Sequence, residues 1–314
     1  MSSFREALNI PVKFHQHRAK TIFGCHGNGL GHFNEPMGLC FTNELGNTLI
    51  HVSDRKNARV LTFKLDGQIQ SIFSIDGKLG DITSNGIDRL YIAISNPMNI
   101  EALVICYDLQ GKPKAKFGKM FSLVQPSGVA LNTKFDEVVV SSTHDRQGYI
   151  FNKQGTLLHR FGAGASRMKQ PTFVACNAYN DIIVADTGAH NLKVLDRSGK
   201  LANTIGAKGH KLGQFDEPRG VAVDTNNNTI VADSKNQRIQ IFDAAGKFRD
   251  QFLGNLEQDG FPNGQNIVPY ALSHCAGYLA VLFRGEHFAE VRIYDYNSPT
   301  ANSPQQKTSV CVCQ

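Results

Sequence analysis

Short apolar runs recur along the chain, each rich in β-branched or aromatic side chains and each followed by a gap of Asn, Asp, Gly or Lys. The clearest set lies in residues 206–254: Gly220-Val221-Ala222-Val223, Thr229-Ile230-Val231-Ala232, Arg238-Ile239-Gln240-Ile241-Phe242 and residues 247–252. Runs of this kind predict strands, and the turn residues between them predict tight reversals. The set reads as a four-stranded antiparallel meander with strands A to D. One such sheet cannot bury both its faces, so the pattern predicts neighbours of its own kind.

The neighbours are present. An aromatic or Ile followed by Gly marks the end of a D strand at Phe23-Gly24, Phe117-Gly118, Phe161-Gly162 and Ile205-Gly206, the last three glycines standing 44 residues apart. Gly24 precedes Gly118 by 94 residues, about two repeats, and the divergent second repeat centres on Arg89-Leu90-Tyr91-Ile92-Ala93. A proline opens strand A at Pro36, Pro126, Pro171, Pro218 and Pro269, where its fixed φ ends the incoming loop. The A-B-C trio occurs six times, closing at Phe63, Tyr107, Phe151, Leu195, Phe242 and Tyr294, but a D strand follows only the first five. Residues 17–23 read as a D strand with no trio before it. A ring in which this strand completes the last sheet leaves no open seam. The expected fold is all-β, a six-bladed β-propeller closed by the N-terminal strand. Residues 1–12 are an extension, 13–297 the propeller and 298–314 a disordered tail.

Composition adds limits. With 29 glycines, 20 phenylalanines and no tryptophan, the chain of 314 residues suits many turns around a β core. No apolar run approaches the roughly 18 residues of a membrane span, and residues 1–7 lack a secretory pattern. Seven cysteines without metal-type spacing fit reduced thiols and a cytoplasmic location. A net charge of +6 permits a polyanionic partner without demanding one.

The string around Pro218-Arg219-Gly220-Val221-Ala222-Val223-Asp224, followed by Ile230-Val231-Ala232-Asp233-Ser234 and Asn236-Gln237-Arg238-Ile239-Gln240, resembles the NHL repeat. The resemblance is strongest in residues 214–242, good in 31–63 and 170–195, and weak in the second and sixth blades. Taken whole, the chain looks like the C-terminal propeller of tripartite-motif NHL proteins, including Brat-like translational repressors. That family normally carries a RING finger, B-boxes and a coiled coil, and this sequence shows neither zinc spacing nor heptads. Ubiquitin-ligase chemistry is therefore expected of a RING-bearing part, not of this chain.

Propeller topology puts B-C loops and D-A connections on one face. The resemblance implies RNA binding there, with the Arg of the Asn-x-Arg step among the residues involved; here the step is Asn57-Ala58-Arg59 and Asn236-Gln237-Arg238, replaced by Asn191 in the fourth blade and Gln147 in the third. The face gathers Arg55, Lys56, Arg59, Arg146, Lys169, Lys193, Arg219, Lys235 and Arg238, with Tyr270 at the channel mouth, and these are the expected RNA-binding residues. Flat side chains at His26, His32, Phe121, His144, His190, Tyr270 and His287 offer stacking surfaces for unpaired bases. Beside this stands a structural reading, in which Arg59 and Arg238 pair with Asp54 and Asp233 five residues earlier. A protein-interaction platform for substrate recruitment would use the same loops. A metal-dependent propeller enzyme ranks third, because the residues after each proline, Met37, Ser127, Thr172, Arg219 and Tyr270, include no His, Asp or Glu. No cofactor and no metal are expected. The last four residues, Cys311-Val312-Cys313-Gln314, have the form of a prenylation signal on Cys311, which would give at most a weak lipid anchor.

Overall fold

The computed structural model describes residues 18–44, 46–95, 102–118, 125–253, 260–262 and 266–296. The expected extension 1–12, the tail with Cys311, and Phe121 lie outside the described residues. Strand β1 (Thr21–Phe23) comes first. Blade 1 follows as β2 (Pro36–Glu44), β3 (Asn47–Asp54), β4 (Arg59–Lys64) and β5 (Ile69–Ser74). Blade 2 is β6 (Lys78–Ser84), β7 (Arg89–Ser95), β8 (Ala102–Asp108) and β9 (Pro113–Phe117). Blade 3 is β10 (Pro126–Asn132), β11 (Glu137–Ser142), β12 (Gln147–Asn152) and β13 (Leu157–Phe161). Blade 4 is β14 (Pro171–Cys176), β15 (Ile182–Asp186), β16 (Asn191–Leu195) and β17 (Leu201–Ile205). Blade 5 is β18 (Pro218–Val223), β19 (Thr229–Asp233), β20 (Arg238–Phe242) and β21 (Phe248–Phe252). Blade 6 is β22 (Val268–Cys275), β23 (Tyr278–Arg284) and β24 (Ala289–Asp295), completed by β1.

Each sheet has four antiparallel strands in chain order except the last, which runs β1-β24-β23-β22. Thr21, Ile22 and Phe23 pair with Ile293, Arg292 and Val291, so the N-terminal strand closes the ring as the strand count requires. The described strand is shorter than residues 17–23, and Lys20 beside it reaches Asp295 at 3.1 Å and lies over the Tyr278 ring. Among the described residues no helix is long and apolar enough to cross a membrane.

The burial pattern follows the position of each strand in its blade. The B strands of blades 3, 4 and 5 are buried along their whole length, as in Ile182–Asp186 and Thr229–Asp233, because neighbouring blades cover both faces. The D strands alternate or are mostly exposed, as in Ile69–Ser74. The A strands of all six blades line an axial cavity of about 170 Å³. Just after the opening proline, register shifts at Pro36/Gly38, Pro126/Gly128, Pro171/Val174, Pro218/Val221 and Pro269/Ala271 place a bulge at the channel mouth. The glycine in this bulge is forced by the next blade: a Cβ on Gly128 would lie 2.3 Å from the Thr172 carbonyl oxygen.

Candidate binding surface at the channel mouth

Two of the D-A connections, residues 24–35 and 206–217, are built alike. Both contain Leu-Gly-x-Phe-x-Glu-Pro, as Leu30-Gly31-His32-Phe33-Asn34-Glu35-Pro36 and Leu212-Gly213-Gln214-Phe215-Asp216-Glu217-Pro218. Phe33 and Phe215 are fully buried and plug their loops into the core. Gly24 and Gly206 have φ of +87° and +78°, and a Cβ on either would come within 2.1 and 2.3 Å of the plugging ring. Parallel bridges His26↔Phe33 and Lys208↔Phe215 tie each loop to itself, and the Gly27 and Gly209 N–H groups donate to the Phe33 and Phe215 carbonyls at 2.9 and 3.0 Å.

A carboxylate and an arginine on the following blade hold each loop. Asp54 and Asp233 are wholly buried; their oxygens accept the Asn34 and Asp216 N–H groups at 2.6 and 2.8 Å, together with amide protons of Asn57 and Asn236 at 2.7 and 2.9 Å. Arg59 Nε donates to Asp54 at 3.1 Å, and its Nη2 donates to the carbonyls of Gly29 and His32 at 2.8 and 2.9 Å. Arg238 Nε donates to Asp233 at 2.8 Å, Nη1 to the His210 carbonyl at 2.9 Å, and Nη2 to Lys211 and Gln214 at 2.8 and 2.9 Å. Burial raises the Asp54 and Asp233 carboxyls above the usual carboxylate value, and the surrounding donors, the arginines included, oppose it. Arg59 and Arg238, expected on the sequence either to touch RNA or to pair with Asp54 and Asp233, make those pairs. Nε and Nη2 of Arg59, and Nε, Nη1 and Nη2 of Arg238, donate inside the protein, as the structural reading has it.

Other expected site residues sort by place. Lys193 sits within β16 and not in the B-C turn, opposite Val184 and Thr204, with its Nζ 3.5 Å from Thr204 Oγ1, because the turn ends before it. Arg146, with a left-handed φ of 57°, and Lys169 are exposed on the loops, and neither makes an ion pair among the described residues. Arg55, Lys56, Arg219, Lys235 and Tyr270 do come together.

Their meeting point is organised by the last residue of each long loop. Glu35 and Glu217, left-handed at φ 59° and 50°, turn their carboxylates to the mouth. Glu35 lies 3.9 Å from Arg55, 3.9 Å from Lys56 and 3.8 Å from Arg284. Glu217 lies 2.6 Å from Lys235 and 3.2 Å from Arg219. Burial pushes the Glu217 carboxyl up, but Lys235 and Arg219 together outweigh it and hold the group below its ordinary value. Tyr270 joins the two halves: the Arg284 guanidinium lies 4.1 Å and that of Arg219 5.2 Å from its ring centre. Arg284 also donates to Met37 Sδ at 3.1 Å, and burial lowers its pKa. Arg55 donates to the Leu79 carbonyl at 2.7 Å, tying blade 1 to blade 2.

A model of the NHL repeat matches residues 215–242, from the plugging Phe215 through the Arg238 clamp to the end of strand C. The human E3 ubiquitin-protein ligase NHLRC1 is 33% identical over 105 residues, 32% of this chain and 25% of the relative. Its rat counterpart is 36% identical over 93 residues, 29% of this chain and 24% of the relative. The chain thus spans about a quarter of the length of the curated relatives it matches. In fold, a structural genomics protein of unknown function from Bacteroides thetaiotaomicron superimposes with a TM-score of 0.68 at 15% identity, covering 88% of this chain and 76% of the other. The virginiamycin B lyase from Staphylococcus aureus follows at 0.58 and 12% identity, covering 87% and 99%. The chain is a six-bladed β-propeller that carries an NHL repeat.

Within the propeller, the departures of blades 3 and 4 from the NHL pattern of blade 5 have a physical cause. In blade 4 the connection between Gly162 and Pro171 is three residues shorter than in blades 1 and 5, so it offers no hoop of carbonyls to grip. Asn191 stands where the arginine would be, and Asp186 is satisfied by the Lys169 and Gln170 N–H groups at 3.0 and 2.8 Å. In blade 3 the position is Gln147, and Ser142 donates to Asp145 at 3.0 Å instead. Two features escaped the reading of the sequence: the role of Arg284, and the exposed leucines of the long loops. The repeated Leu-Gly-x-Phe-x-Glu-Pro string carried the signal for the second.

Proposed function

We propose that this propeller is a protein-docking module, whose basic mouth around Tyr270 holds an acidic segment of a partner polypeptide and recruits it for ubiquitin ligation by a RING-bearing part. One observation carries the reading. Five cations, Arg55, Lys56, Arg219, Lys235 and Arg284, converge on the mouth and share two carboxylates, Glu35 and Glu217. The surplus positive charge sits in a preset geometry, which favours carboxylates of a docking segment and speeds encounter. The likeness to NHLRC1, named as a ubiquitin ligase, supports the same class of partner.

RNA is the second reading, favoured by the exposed Arg146 and Lys169, which make no ion pair among the described residues, and by the edge-to-face pair of exposed rings His26 and His287. Against it, the central ring is covered, because Tyr270 lies under the Arg284 guanidinium, 4.1 Å from its ring centre. Base stacking needs free ring faces.

The test is fluorescence anisotropy with two labelled probes, a short Glu/Ser peptide and a single-stranded RNA, between roughly 50 and 200 mM salt. The peptide is expected to bind, and the double substitution Lys56→Glu with Lys235→Glu to abolish its binding. Tighter binding of the RNA, with a loss of affinity across the salt range that reports several phosphates, would overturn the protein reading.

A further inference from the structure

Resting on the protein-docking reading, we infer that the two long loops are arginine-braced apolar anchors: Leu30 and Leu212 seat apolar side chains that flank the acidic core of the docking segment. Leu30 is 74% and Leu212 44% exposed, and they hold the same place in two loops of the same build. A single exposed leucine on a protein surface is ordinary. Here the backbone on both sides of each leucine is fixed from below. Nη2 of Arg59 grips the carbonyl just before Leu30 and the one two residues after it, those of Gly29 and His32. Nη2 of Arg238 grips the carbonyl just before Leu212 and the one two residues after it, those of Lys211 and Gln214. Asn57 and Asn236 donate to the Gly27 and Gly209 carbonyls at 3.0 and 2.9 Å, closing the same hoop in each loop. The two arginines are positioning residues, and what they position is a leucine pointing at solvent.

The charged floor joins the feet of the two hoops. From Glu35 at the end of the first loop, contacts run through Arg284, Tyr270 and Arg219 to Glu217 at the end of the second. A ligand spanning this floor meets positive charge in its middle and a rigid apolar tip toward each end. The complementary chemistry is a polypeptide segment with acidic residues in the centre and apolar residues on both flanks. Nucleic acid, with a charge on every residue, does not fit that order. Loops ordered before binding lose little freedom when they close on a ligand, so modest apolar contacts count in full.

The experiment compares the Glu/Ser peptide with the same peptide carrying leucines at both ends, on the whole chain. Wild type is expected to bind the leucine-flanked peptide roughly tenfold or more tightly than the plain one. Leu30→Ser with Leu212→Ser is expected to bind both peptides alike, with an unchanged melting temperature. Arg59→Lys keeps the charge but cannot span both carbonyls; it should lose preference for the leucine-flanked peptide, keep binding of the plain one, and exchange its loop amides faster. Equal binding of the two peptides by wild type, or a preference that survives the double Ser substitution, overturns the anchors while leaving the acidic docking site standing. An Arg59→Lys protein that keeps the full preference overturns the positioning role. If neither peptide binds and RNA does, the docking reading fails and the anchors fail with it.

Discussion

Arg238 shows how far single residues could be read from the chain. The spacing Asp233 to Arg238 suggested an ion pair, and the pair is present at 2.8 Å. What the spacing could not convey is where the remaining donors go, because the carbonyls of His210, Lys211 and Gln214 belong to a loop more than twenty residues earlier. Replacing Arg238 by Ala leaves Asp233 buried without its cation, and the expected loss is about 3–5 kcal/mol in urea unfolding. Arg59 makes one contact fewer and is slightly more exposed, so Arg59→Ala should cost less. A loss no larger than that of a surface substitution, within about 0.5 kcal/mol, would dismiss the clamp. Two other buried groups set the response to pH. His51, between Thr42 Oγ1 at 2.8 Å and Thr62 Oγ1 at 2.9 Å, is lowered by burial to about 3. Asp81, on the channel wall, accepts N–H groups of Ile82 and Val129 at 2.9 and 3.2 Å and is raised by burial to about 8. A histidine held neutral favours the folded state above its unfolded pKa and loses that advantage as pH falls toward 3. A carboxyl held protonated does the reverse: its contribution is full below the unfolded value near 3.8 and is lost as pH rises through about 8. Between the unfolded values of 3.8 and 6.5 the two slopes oppose one another, and above 6.5 that of Asp81 acts without that of His51. Asp81→Asn removes the Asp81 slope, so its melting temperature relative to wild type should climb from about pH 4 and level off above about 8. A difference that stays constant with pH would assign the response to other groups.

Among the elements, strand identity and blade order were legible because the A-B-C trio repeats six times and its turns carry Asn, Asp and Gly. Lys193 was misplaced for a simple reason: in blade 4 the B-C turn is a single 3-10 turn, Thr187–Ala189, and strand C has resumed by Asn191. Closure by β1 was read from a missing D strand, and pairing with β24 bears it out. The strand is short, yet its Phe23 ring packs 4.4 Å from the Phe63 ring of blade 1, so it seals a sheet and a blade boundary together. Removing residues 1–23 would strip this ring from the core and leave β24 as an open edge. The expected cost is about 2–4 kcal/mol, with broadened thermal unfolding and concentration-dependent aggregation. Scanning calorimetry of the shortened chain at two concentrations measures both, and a transition as sharp and as high as that of the whole chain would show that the seam is closed by something else.

For the whole molecule, the ring dictated by the sequence explains which charges can meet. Residues 35, 55, 217, 219, 235, 270 and 284 come from three blades, and no linear spacing brings them together; only the rotation of blades about the axis does. A basic face with acids at Glu35 and Glu217 was therefore visible in the sequence, whereas its focus on Tyr270 and the pairing of those two carboxylates with its cations were not. Those carboxylates make a last prediction. Glu35 and Glu217 share the cations that a docking acidic segment would need, so they are internal competitors as well as organisers. Neutralising both as Glu35→Gln and Glu217→Gln leaves five cations with neutral amides in place of their two carboxylates. Attraction for an acidic peptide should then grow at a distance, raising its association rate several-fold and steepening its dependence on salt. Stability should fall modestly above the carboxylate range, because Glu217 is held ionised by Lys235 and Arg219 and that contribution is present only at pH above its unfolded value. Stopped-flow association at low and moderate salt reads the first effect and a melting curve the second. A slower association in the double variant would mean that the carboxylates shape the mouth more than they compete for it, and the site would have to be described as seven residues rather than five.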